Sequence, residues 1–300
     1  MFDKGWYLIM EKRHKFGHRY DGWRISDEDP FINLLMYIMP ERSDAHVLFQ
    51  EDIDITKTMK YLYEKRRAGY KELKFYHIVY AAAVRVLAMK PKMNRFICGK
   101  KMYMRKNIEI SMMALKSGDK EDIGSQDSSV KIRFDPKETL FEISEKTEKY
   151  IKESKESLDT SADALAKFIN NAPGFVTGFV VGLLKFLDKR GWLPKAVINA
   201  SPFHCSMYIT NLGSLGINSI YHHIYNFGTT TIFAALGARK RKNVVNDDGT
   251  IKKMQYMDFK LAIDERCVNG FYNSGAIKLF IHYIMNPELL EKSDEVTGNV

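Results

Sequence analysis

The chain of 300 residues predicts a mixed α/β fold, and three observations carry that reading. Stretches that alternate with period two recur along it, as where Phe259, Leu261 and Ile263 interleave with Lys260, Ala262 and Asp264. That is the pattern of a strand with one buried face. Other stretches carry apolar residues at helical spacing, such as Ala276, Ile277, Phe280, Ile281 and Ile284. Hydrophobic side chains make up 45% of the chain, enough for the core of one large domain or two small ones.

Residues 1–45 set Gly5, Gly17, Gly22, Pro30 and Pro40 among aromatics and charges, which predicts an irregular extension with a short helix near Phe31 to Met39. His46, Leu48 and Gln50 then alternate with Val47, Phe49 and Glu51 as a strand, and Asp54-Ile55-Thr56 caps a helix from about Lys57. Phe75, Ile78, Val79, Ala82, Ala83 and Val86 mark one face of a second helix, which ends before Pro91. Ile108, Ile110 and Met112 predict a strand, as do Val130, Ile132 and Phe134, with a polar loop over Ser117 to Ser129 between them. From Pro136 to Ile169 the pattern is helical, with Leu140, Ile143 and Thr147 on one face and Leu165, Phe168 and Ile169 on a later one.

Pro173-Gly174 and Gly191 to Pro194 bracket the most apolar stretch, Phe175 to Leu187. It is interrupted by Lys185 and falls short of the roughly 20 residues of a bilayer span, so it reads as a buried or interface helix. Thr231, Phe233 and Ala235 predict a further buried strand, joined by an Asn246-Asp247-Asp248-Gly249 hairpin to the strand ending at Asp264.

The net charge of +9 and a pI near 9.2 favour acidic partners. The compact basic run Arg239 to Lys242 reads as a solvated hairpin end, and no nucleic-acid-binding motif accompanies it. Cys98, Cys205 and Cys267 are too few and too scattered for a disulfide framework and form no zinc pair, which fits a metal-free protein of the reducing cytoplasm. Trp6 to Met10 is followed at once by Glu11, Lys12 and Arg13, a poor signal peptide.

Two segments carry a resemblance. Asp264, Glu265, Arg266, Cys267, Val268, Asn269 and Gly270 hold the frame of Asp-His-Arg-Val-Val-Asp-Gly, the motif of the dihydrolipoyl acyltransferases within the chloramphenicol acetyltransferase superfamily. Ser206 to Gly216, SMYITNLGSLG, resembles the acyltransferase segment Phe-Thr-Ile-Ser-Asn-Leu-Gly. The likeness is clearest from Ser201 to Pro287 and fainter from His46 to Phe141.

The resemblance implies a chloramphenicol-acetyltransferase-like α+β sandwich, a mixed and largely antiparallel sheet covered by helices. It places a catalytic domain at 46–290 between the N-terminal extension, 1–45, and a flexible tail, 291–300. It further implies a homotrimer or an assembly of trimers, with coenzyme A as the acyl-CoA substrate and an acceptor the sequence does not name. Neither a lipoyl-type domain nor a subunit-binding domain is recognisable, so no covalent lipoyl group is expected on this chain. By position, Thr210 is the oxyanion donor, Glu265 stands at the general base, and Asn269 replaces the orienting aspartate. Arg266, Asp264, Gly270 and Asn211 support them, Gly270 by the backbone freedom the turn requires, while His222 and His223 stand on the acyl-acceptor side.

The motif histidine is therefore a glutamate. From reference pKa values near 4.3 for Glu and 6.5 for His, removing a thiol proton is about 3 kcal/mol harder for glutamate, on the order of a hundredfold in rate. Desolvation can raise a carboxylate by up to about 3 to 5 units and erase that deficit. Two readings stay open: a free-standing acyl-CoA-dependent acyltransferase using Glu265, or a histidine brought from elsewhere, as base, or a catalytically silent relative that keeps the trimer for binding or assembly. The Thr210 segment and Gly270 favour the first, since a scaffold makes no chemical demand on them. Cys267 reads as a small buried residue.

Overall fold

The computed structural model describes residues 17–26, 30–115, 127–156 and 173–293. Nine strands and seven α-helices follow in chain order among them: β1 (Gly22–Arg24), α1 (Pro30–Ile38), β2 (His46–Asp54), α2 (Thr56–Arg67), α3 (Phe75–Met89), β3 (Arg95–Cys98), β4 (Lys101–Arg105), β5 (Ile108–Leu115), β6 (Asp127–Phe134), α4 (Leu140–Glu156), α5 (Gly174–Arg190), α6 (Lys195–Ala200), β7 (Met207–Asn211), β8 (Ile232–Val245), β9 (Ile251–Asp264) and α7 (Gly270–Met285).

The larger sheet has the order β2-β9-β8-β7-β5-β6. Its pairs are antiparallel except at β7, which runs parallel to both β5 and β8. The period-two pattern decides its faces. Met257, Phe259, Leu261 and Ile263 of β9 join Ile232, Ala234 and Leu236 of β8 in a core shared with α2, α3, α4 and α7. The fold is thus the mixed two-layer α/β sandwich expected. On the opposite face Tyr208, Phe233 and Ala262 are covered by Ile224, which lies in the segment 216–228. That segment is fastened back to the sheet, since Ser219 donates from both its N–H and its hydroxyl to Asp258 Oδ2.

The β1-β4-β3 sheet and α1 fall within or beside the expected irregular extension. Met36, Ile97, Met102 and Cys267 form a second small core there. Arg19, only 2% exposed, ties this region to α5 through Asp21 at 2.8 Å and Asp188 at 2.7 Å. Asp54 accepts from the Thr56 N–H at 2.9 Å, so α2 starts close to its expected cap. Part of the expected 117–129 loop, the second half of the 136–169 helical stretch and most of the tail, 294–300, lie outside the described residues. Glu291, at the start of that tail, is held by Lys65 and Tyr61. Among the described residues no helix is long and apolar enough to cross a membrane, and no group of three metal-ligating side chains occurs.

The start of α3 carries a buried titratable group. His77 accepts the Lys74 N–H at Nδ1, and its Nε2 lies 3.0 Å from Glu148 on α4. Burial outweighs the glutamate and lowers its pKa to about 4. A histidine near 6.5 when unfolded and about 4 when folded binds more protons unfolded between those values, so stability falls as pH falls through that window. Urea unfolding is expected to show wild type losing more stability than His77→Gln between pH 7 and pH 5, by about 1 to 2 kcal/mol. Equal losses would show that His77 is not the group responsible.

Candidate active site

The turn after β9 is fixed from four directions. Asp264, fully buried, accepts from Arg266 Nε at 2.8 Å and Nη2 at 2.7 Å. Arg266 Nη1 donates to the Met39 carbonyl at 2.7 Å, and Glu265 N–H donates to the Ala45 carbonyl at 3.0 Å. Cys267 is buried in the small core, and burial pushes its thiol well above the ordinary range, as befits a packing residue. Burial alone would lower the Arg266 pKa, yet the hydrogen bonds and charge of Asp264 prevail and raise it.

Within this fixed turn Glu265 is exposed, and its carboxylate has no side-chain partner among the described residues. It lines an open cleft of about 340 Å³ between β2 and α7, walled by Val47, Phe49, Ile263 and Ile277. Asn273, buried at the same cleft, leaves its Oδ1 without a partner among the described residues. The single chain therefore does not dry the Glu265 carboxylate.

Asn269 is the N-cap of α7, its Oδ1 accepting the Tyr272 N–H at 2.9 Å. Gly270 corrects the sequence reading. Its φ is not positive and a Cβ there would meet open space, so the turn does not demand glycine; what the missing side chain does is widen the cleft.

Thr210 ends the buried part of β7, half-exposed, and its hydroxyl has no side-chain partner among the described residues. Asn211 follows, its carbonyl accepting from Ser214 at 2.7 Å. Here glycine is required: a Cβ on Gly213 would come within 2.5 Å of the Gly237 carbonyl, and one on Gly237 within 2.2 Å of Asp258. Register shows how far Thr210 is from Glu265. Thr210 pairs with Ala235, and Ala235 with Lys260, five residues before Glu265. Two strand spacings and five residue rises put them about 20 Å apart within one chain.

His222 and His223 lie in the segment over the second sheet face. His222 stacks on Phe233 at 4.5 Å, and burial, then His223, lowers its pKa. His223 packs edge-on to Tyr225. The histidine beside the motif is another one, His46, directly across the ladder from Asp264. Its Nε2 accepts the Ile224 N–H at 3.1 Å, which occupies the lone pair a base would need. Nothing in the sequence marked His46 beyond its place at a strand start.

The site thus combines a mixed sheet layered with helices, a strand-to-helix turn presenting one carboxylate, and a hydroxyl at the end of a parallel strand. The sequence pattern of the family "2-oxoacid dehydrogenases acyltransferase (catalytic domain)" matches residues 204–291, and the chain resembles that domain. Among solved structures it is similar to the dihydrolipoamide acetyltransferase of Azotobacter vinelandii, at 13% identity over 89% of this chain and 94% of that one, with a TM-score of 0.58. A probable dihydrolipoamide acetyltransferase of Listeria monocytogenes gives 16%, 90%, 97% and 0.53. A 2-oxoacid dehydrogenase catalytic core of Thermoplasma acidophilum gives 14%, 88%, 99% and 0.53. These likenesses show the fold. No curated protein sequence matches the chain.

Removing one member of the Arg266–Asp264 pair leaves the other buried and unpaired. Arg266→Met is expected to cost about 3 to 5 kcal/mol in urea unfolding, and Arg266→Met with Asp264→Asn less than that. Additive losses would show that the two side chains do not act as a pair.

Proposed function

We propose that the chain catalyses acyl transfer from a CoA thioester, with Glu265 as general base and Thr210 as oxyanion donor of a site completed between neighbouring subunits of a trimer. The observation that carries this is the disposition of the two halves. A rigid turn projects one unpaired carboxylate into an open cleft, while a free hydroxyl at the end of β7 lies about 20 Å away, too far to meet it within one chain. A second chain supplies the missing half. The Azotobacter vinelandii enzyme was examined for the roles of a serine, a histidine and an asparagine in its catalytic mechanism, the asparagine four positions after the histidine. Glu265 and Asn269 keep that spacing, and Thr210 offers the same kind of hydroxyl as the serine. A related solved structure is the cubic core of a pyruvate dehydrogenase complex, which favours assembly of this chain as well.

In this reading the acceptor's thiol or hydroxyl gives its proton to the Glu265 carboxylate as its sulfur or oxygen attacks the thioester carbon. The developing oxyanion is held by the Thr210 O–H, an interaction worth about 3 to 4 kcal/mol. Collapse breaks the carbon–sulfur bond, and the departing CoA sulfur takes the proton back from Glu265. Arg266 and Asp264 keep the turn in place, and Asn269 fixes the start of α7. The cleft suits an extended thioester arm: its walls are apolar, the orphaned Asn273 Oδ1 can accept an amide N–H, and Lys278 stands at its side. A neighbouring chain laid over it would exclude water, the condition under which carboxylates become effective bases near neutral pH.

Purified protein is expected to have the mass of a trimer by light scattering and to turn over acyl-CoA. Glu265→Gln should lower kcat by at least about a hundredfold with CoA affinity and trimer intact, and Glu265→His should keep or raise it. Turnover undiminished in Glu265→Gln would exclude Glu265 as base. No turnover by wild type on any acyl-CoA would leave the silent scaffold as the reading.

A further inference from the structure

Helix α5 takes no part in the site described above and, like α1, leaves large apolar side chains exposed. Phe175, Phe179, Leu183 and Phe186 recur at helical spacing along it and are 80%, 71%, 44% and 49% exposed. Trp192, just past the C-cap, is 64% exposed. Gly174, Gly178 and Gly182 lie on the same helix with open space around them. The helix is held at its C-terminal end, where buried Asp188 bonds Arg19, and Gly191 closes it in the left-handed conformation. Its apolar length is left to solvent.

The exposed charged residues of this helix are cations. Lys185, Lys189 and Arg190 stand at the base of the apolar stripe, with Lys195 one turn beyond. The single acid of the helix, Asp188, is consumed by its pair with Arg19. The Arg190 guanidinium lies 5.2 Å from the Phe186 ring centroid and 5.9 Å from that of Trp192, so charge and aromatic surface are combined in one belt. Beside the base opens a cavity of about 300 Å³ whose charged lining is Arg42, Lys100, Lys185, Lys189 and Arg266 with Glu41 and Asp188. Arg42, 6% exposed, leaves its Nε–H without a partner among the described residues.

We propose that α5 docks the protein on an anionic lipid surface, its phenylalanines and Leu183 entering the interface while the lysines and arginines at its base meet lipid phosphates. The division suits a bilayer interface, where apolar side chains sink below the headgroups and Trp, Lys and Arg remain level with them. With 17 residues α5 is too short to cross the bilayer, so it lies in one leaflet. A second copy of the chain with the two helices parallel fits the charge less well, because that contact would bring Lys185, Lys189 and Arg190 against their own copies. This inference is independent of the catalytic role of Glu265.

Vesicle flotation tests it. Wild-type protein is expected to float with vesicles of phosphatidylcholine containing phosphatidylglycerol, to bind phosphatidylcholine alone at least about tenfold more weakly, and to be released by salt. Phe175→Asp with Phe179→Asp should reduce flotation by at least about tenfold, and these exposed positions leave the fold intact by circular dichroism. Lys185→Glu with Lys189→Glu should reduce it by more than about tenfold, near fivefold for each cation removed. Emission from Trp192 should shift to the blue on anionic vesicles and the shift should vanish in Trp192→Phe. Wild-type protein that stays in the soluble fraction, or folded variants that float as wild type does, would overturn the proposal. So would α5 variants that alter only the oligomer mass, which would assign the stripe to a protein contact.

Discussion

The buried ion pair between Asp264 and Arg266 is the constraint on which the candidate site depends. Both groups are almost wholly removed from water, and each would be costly alone. Their two parallel hydrogen bonds satisfy the carboxylate, while the remaining guanidinium nitrogen reaches back to the Met39 carbonyl after α1. A turn between strand and helix is thereby tied to the N-terminal region. The side chain left over, Glu265, has no role in holding the turn and is the one presented outward. Rigidity on one side and an unpaired carboxylate on the other is the arrangement catalysis asks for, because a preorganised group loses nothing when the reaction begins.

The same division of labour recurs at Thr210. Asp258 grips Ser219, Gly237 leaves room for that carboxylate, and Gly213 packs against the Gly237 carbonyl. The segment after β7 is consequently pressed against β8, and Thr210 is held at a strand end rather than in a mobile loop. Sheet register then keeps the two halves of the site apart in one chain. That separation, and the exposure of Glu265, are reasons to look to a second chain for both proximity and dryness.

Much of this was legible in the sequence because it depends on local pattern. The alternation at Phe259 to Ile263 and the helical spacing from Ala276 to Ile284 gave β9 and α7 directly, since each needs one apolar face. The motif frame from Asp264 to Gly270 located the turn. What could not be read was contact between distant segments. His46 becomes a neighbour of Asp264 only through the β2–β9 register, and Gly270 looked like a conformational glycine because sequence does not report φ. The stretch 175–187 read as a buried or interface helix on composition alone; the structure excludes the buried reading, since its phenylalanines face solvent. The short β1-β4-β3 sheet was missed because Gly22–Arg24 is three residues long, too brief for a period.

A composite site makes a demand that no single-chain site makes. Co-expression of Thr210→Ala and Glu265→Gln chains, each inactive alone, should yield mixed trimers in which about a quarter of the sites combine an intact Glu265 with an intact Thr210 from its neighbour. Acyl-CoA turnover recovering to roughly that fraction of wild type is the result expected. Mixed trimers no more active than either parent would contradict a site shared between subunits.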